Sequence, residues 1–130
     1  MIINISNGEL INSKKIYIHD DVFEELCFHR MKKKLHLSIY NESNKKRRSI
    51  VFLNVIGFEM TSCDFWGSSP HILDFEYVEP KDHTLIPKLF DKNDSNFSRY
   101  LPNDLEKYIE TTITLTSGDQ LIVACENIMI

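Results

Sequence analysis

The sequence predicts a mostly-β fold in a single domain spanning residues 1–130: an antiparallel curved sheet, a small sandwich or a partly open barrel, with at most one or two short helices. Three observations predict it. Apolar residues recur at every second position in several segments, the period of a strand with one buried face. Amphipathic helical spacing is sparse. The C-terminus reads as a hairpin, because two alternating runs flank Ser117-Gly118-Asp119, and glycine supplies the positive φ such a turn needs.

In chain order, "KKIYIHD" sets Ile16 and Ile18 against Tyr17, and "ELCFHR" sets Leu26 and Phe28 against Cys27. "KKLHLSIY" puts Leu35, Leu37 and Ile39 on one face, and Met31-Lys32-Lys33 before it suits a hairpin connection. After the polar "NESNKKRR", the run "SIVFLNVIGFEM" is apolar in both parities. That predicts a central strand covered on both faces, or a bulge that switches face, with Gly57 as the bend. "HILDFEYV" predicts a strand with Leu73, Phe75 and Tyr77 on one face and Asp74 and Glu76 on the other, closed by Pro80. The segment 81–104 is broken by Pro87 and Pro102 and reads as a long excursion with room for a short helix. "NDLEKYIE" suits either a helix capped by Asn103 or an extended chain. In the final hairpin, Ile113 and Leu115 match Leu121, Val123 and Cys125.

Composition excludes several classes. Hydrophobic residues make up 42 % of the chain, enough for a core without staples. No apolar run reaches the roughly 20 residues that span a bilayer. "MIINISNGEL" has neither a basic leader nor a long apolar stretch, so the expected compartment is the cytoplasm. Cys27, Cys63 and Cys125 are far apart and odd in number; each reads as a small buried hydrophobe.

Charge is uneven. Residues 1–58 carry ten Lys/Arg and six Asp/Glu, whereas residues 59–130 carry five and thirteen. One acidic surface, able to attract a basic partner, is the consequence if the charges stay segregated on folding.

Chemistry-bearing motifs are few. Cys63, Asp64, His71 and His83 match no compact metal spacing, and Cys63 with His71 or His36 is not forced into a nucleophile–base pair. Asp20-Asp21 and Glu24-Glu25 are adjacent, which suits solvation better than a catalytic dyad. With four glycines, no phosphate-cradling loop is present. The expectation is therefore a protein without catalysis, cofactor or metal. Lys32-Lys33-Lys34 and Lys45-Lys46-Arg47-Arg48 could meet phosphate, but both fall at predicted turns, where lysines keep sheet edges apart. Nucleic acid is a disfavoured partner, and the second basic turn is expected to lie far from the acidic strand.

The run from "HDDVFEELCFHRMKKKLHLSIY" through "SIVFLNVIGFEM" and "SCDFWGSSPHI" to "LTSGDQLIVACENI" resembles, across most of the chain, small all-β immunity proteins of polymorphic and contact-dependent growth-inhibition toxin systems. The resemblance is one of layout. It implies a bacterial cytoplasmic antitoxin that binds one cognate toxin domain, commonly a nuclease, and neutralises it without catalysis. It carries no binding residues over. Charge and alternation nominate Asp74, Glu76, Glu79 and Asp82 for contact with a basic active site, then Asp91, Asp94 and Asp104, with Trp66 as an aromatic anchor or a lid on the core. The alternatives are a β-barrel ligand-binding or accessory domain, which an apolar cavity with convergent polar groups would favour, and a nucleic-acid adaptor.

Overall fold

Among the described residues, ten strands form two antiparallel sheets. The computed structural model describes residues 2–6, 9–12, 18–61, 71–92 and 105–130, with the backbone alone for 90–92 and 105. The strands are β1 (Ile2–Ser6), β2 (Glu9–Ile11), β3 (Val22–His29), β4 (Lys34–Asn41), β5 (Lys46–Leu53), β6 (Gly57–Met60), β7 (Ile72–Val78), β8 (Ile109–Leu115), β9 (Gln120–Cys125) and β10 (Asn127–Met129). The first sheet runs β2-β1-β10-β5-β4-β3 and the second β6-β9-β8-β7. The mostly-β prediction holds, and the sheets do not close into a barrel.

The core lies between the sheets. Leu35, Leu37, Ile39, Ile50 and Phe52 of the first sheet meet Ile113, Leu115, Leu121, Val123 and Cys125 of the second, all buried. Each large aliphatic or aromatic side chain so placed stabilises the fold by roughly 1.5–3 kcal/mol. The predicted terminal hairpin is present, with Ile113 opposite Leu121. Gly118 turns at φ 90°.

Two strand pairs bend from one sheet into the other. The run read as a central strand covered on both faces, or as one that switches face with Gly57 as the bend, is β5 and β6, separated by a corner at Asn54–Ile56 just before Gly57. Asn54 sits at φ 52°, a conformation its short polar side chain tolerates. The C-terminal run divides likewise at Glu126, whose N–H donates to the Leu53 carbonyl at 3.1 Å. Asn54 Nδ2 donates to Glu126 Oε2 at 3.0 Å and ties the corners together. Apolar residues in both parities therefore reflect a run that bends from one sheet into the other.

The other edges meet at β3. Val22 bridges His71, and the Ile72 N–H donates to the Asp21 carbonyl at 2.8 Å. At its far end Phe28 packs edge-on against Phe58 of β6, ring centroids 4.9 Å apart. Strand β3 thus begins beside β7 and ends beside β6, running across the second sheet.

Several expectations need correction. Leu73 was placed on the core face of β7, but a bulge between Ile72 and Asp74 hands that position to Ile72 and leaves Leu73 50 % exposed. Cys125 is buried as expected; Cys27 is exposed, since it lies on the outward face of an edge strand. Asp21, read as solvated, is buried and held by Asn41 Nδ2 at 2.8 Å and Arg48 Nη2 at 3.2 Å. The N-terminal strands β1 and β2 carried no recognised signal. The extended reading of "NDLEKYIE" prevails from Ile109 onward, after a single 3-10 turn at Leu105–Lys107. Of the "KKIYIHD" strand, residues 14–17 lie outside the described residues, and Ile18 is buried.

Among its described residues, the excursion after β7 holds a 3-10 turn, Pro80–Asp82, and a helix, α1 (Leu85–Lys92). Pro87 does not break this helix. It occupies the first turn, where a missing N–H costs no intrahelical hydrogen bond.

Candidate functional site

Alternation sends half of the residues of the second sheet outward, and α1 decides which of those are covered. Its Leu85 and Ile86 pack with Tyr108 and Ala124, joined by Leu89, Ile56 and Ile122. The covered end includes Glu110, only 1 % exposed. Its carboxylate accepts the N–H groups of Leu85 and Ile86 through Oε1, both at 2.9 Å, and that of Thr84 through Oε2 at 3.0 Å. Pro87 has no N–H to offer. The helix start is therefore fully satisfied by one carboxylate from another strand, which also complements the positive end of the helix.

Toward the other end of the sheet the face is open. Asp74 and Glu76 are both exposed and stand opposite Thr114 and Thr112 of β8. Two positions apart on one strand, they share a face. Asp74 Oδ1 accepts the N–H of Phe75 at 2.9 Å. A hydrogen bond with Asp74, and repulsion from its charge, raise the Glu76 carboxyl above its ordinary value. Among the described residues no Lys or Arg pairs with either carboxylate.

The remaining nominated residues divide. Glu79 and Asp82 are exposed just beyond the end of β7, and Glu79 lies 3.6 Å from Lys81 Nζ in a solvated pair. Asp91 is in the last turn of α1, where only the backbone is described. Trp66, Asp94 and Asp104 lie outside the described residues, as does Cys63.

The basic runs are partly engaged in structure. Arg47 pairs with Glu24 at 3.0 Å and stacks over Tyr40, and Arg48 holds buried Asp21. Nor is their turn remote from the acidic strand, as had been expected. Glu42 Oε1 is 3.2 Å from Nε2 of His71, the residue that leads into β7. The bridge at Val22 brings the end of β4 to the start of β7, a long-range pairing that local patterns do not show.

Other clusters of reactive types are distributed by strand geometry. Cys27 Sγ is 3.8 Å from His29 Nε2, and the His29 ring meets His36 edge-on at 5.2 Å. His83 Nε2 is 3.1 Å from the Val78 carbonyl. Among the described residues no three His, Cys, Asp or Glu side chains are grouped to hold a metal ion, and no helix is long and apolar enough to cross a membrane.

Sequence reasoning missed Glu110. It shares parity with Thr112 and Thr114 and reads as solvent-facing; only the absence of an acidic residue in the first turn of α1 hints that a cap arrives from elsewhere. No protein-family model, no curated protein and no solved structure matches the chain.

Proposed function

We propose that this protein is a binding module that neutralises a basic partner, in the manner of an immunity protein acting on a toxin domain. The observation that supports it is the juxtaposition of Asp74 and Glu76 on the open outer face of the second sheet, with no cation among the described residues paired to them. Two carboxylates held this way repel each other until a cation arrives. A nuclease cleft supplies such cations, because it must hold phosphate, and covering it blocks substrate without any catalysis by the inhibitor. Glu79 and Asp82 extend the acidic field past the end of β7. In this reading the protein acts in the cytoplasm, where an incoming toxin would reach its target.

The test is association with a toxin domain encoded beside this gene, measured by stopped flow at two salt concentrations. Reversing Asp74 and Glu76 to Lys should slow association about tenfold or more at low salt and flatten its salt dependence. The control is Lys32→Glu, in the turn at the opposite end of β3 and β4 from the Val22–His71 bridge; it should leave the rate close to that of the unmodified protein. An unchanged rate for the Asp74/Glu76 reversal, with binding lost in Lys32→Glu, would refute the assignment of the face.

A further inference from the structure

A half-open cavity of about 650 Å³ lies where the edge of the first sheet meets the end of β7, the start of β8 and the first turn of α1. Ile5 and Leu10 wall it from the first sheet, and Val78, Ile86, Tyr108 and Ile109 from the second sheet and helix. Its size is that of a site for a small organic molecule. Beside Tyr77, Tyr108 and His83, the charged groups that line it among the described residues are all acidic. Glu79, Glu106 and Glu110 contribute carboxylates, no Lys or Arg lines it among the described residues, and His83 is engaged with the Val78 carbonyl. The carboxylate of Glu110 is already taken up by three backbone N–H groups, so it offers a ligand little. Glu79 and Glu106 are exposed and available. Lys81 touches Glu79 only as a solvated surface partner, which a ligand cation can replace.

We propose that this cavity binds an organic cation with an apolar body, such as an aryl- or alkylamine, its body against Leu10, Ile86 and Ile109 and its ammonium toward Glu79 and Glu106. The negative potential around a low-dielectric concavity draws cations in and rejects carboxylates of the same shape. Aliphatic walls contribute the apolar burial and the carboxylates set the sign of the charge. The site shares Glu79 with the acidic field proposed above but includes neither Asp74 nor Glu76, and it needs no macromolecular partner, so small-ligand binding tests it independently of that reading.

Tryptamine and indole-3-acetate carry the same indole with opposite charge, and they provide the test on the full chain by calorimetry and amide NMR. Tryptamine should bind saturably and shift the amides of Leu10, Val78 and Ile109. Indole-3-acetate should bind at least about tenfold more weakly. Glu79→Gln with Glu106→Gln, both at exposed positions, should bring the two ligands to within about twofold of each other. Leu10→Trp should fill the cavity and abolish binding of both. Equal binding of the two ligands to the unmodified protein would overturn the proposal. So would no saturable binding of tryptamine up to about 10 mM, or shifts confined to the Asp74/Glu76 face. If Leu10→Trp fails to fold, the double glutamine variant still decides the outcome.

Discussion

Glu110 Oε1 lies 2.9 Å from the backbone nitrogen of Leu85 and joins a strand to a helix that begins 25 residues earlier. The same carboxylate serves Ile86 and Thr84, so one side chain holds the whole first turn of α1 against the second sheet.

Glu110→Ala should therefore destabilise the fold by about 2–4 kcal/mol, since two buried donors, Leu85 and Ile86, and a third at exposed Thr84 lose their acceptor at once. Glu110→Gln keeps one acceptor oxygen and should fall between Ala and the unmodified protein. Urea denaturation measures both. A loss for Glu110→Ala under about 0.5 kcal/mol, the level of an ordinary surface substitution, would mean that water replaces the cap.

The seat of α1 on the sheet predicts a second cost. A Cβ on Gly57 would come within 2.8 Å of both methyl carbons of Leu89. Those are the flexible end of a side chain, so Gly57→Ala should cost only about 1 kcal/mol, whereas Gly57→Val should cost more by forcing the helix outward. Thermal melts of the two variants check the order; equal melting temperatures would contradict this packing.

Acid–base behaviour on β7 follows from the Asp74–Glu76 contact. With its folded value raised by Asp74 above the unfolded one, Glu76 contributes stability that is full below the ordinary carboxylate range. That contribution is lost as pH rises through the raised value. Asp74→Asn should return Glu76 to the ordinary range, read by NMR titration of its side-chain carboxyl carbon. At neutral pH the variant should be as stable as the unmodified protein or slightly more so. A Glu76 titration that Asp74→Asn leaves in place would sever the link.

The described cysteines should separate by reactivity. Burial, with a smaller contribution from Glu126, pushes the Cys125 thiol well above its ordinary value, while Cys27 is exposed. Iodoacetamide on the native protein should label Cys27 and spare Cys125, and both should react in denaturant. Peptide mass mapping distinguishes the sites; native labelling of Cys125 would show that the second sheet opens.

Local chemistry made much of this protein legible in its sequence. Strict alternation gave β4 and the β8–β9 hairpin, because a side-chain period of two commits one face of a strand to the core. Glycine at 118 marked the turn because few other residues adopt its φ. The same alternation placed Asp74 and Glu76 on one exposed face. Tertiary structure decided what lay beyond such short-range rules. It turned one apolar run into two strands in different sheets at Asn54, a corner fixed by contacts with Glu126. It also put the basic turn beside His71. Above all, it chose which part of the outer face of the second sheet would be covered. Glu110 and Glu76 are both glutamates on outward positions of neighbouring strands. Glu110 is buried because a helix end needs its carboxylate, and Glu76 is exposed because the helix stops short of it. Alternation fixes the face a side chain points to, but burial depends on what another part of the chain lays over that face.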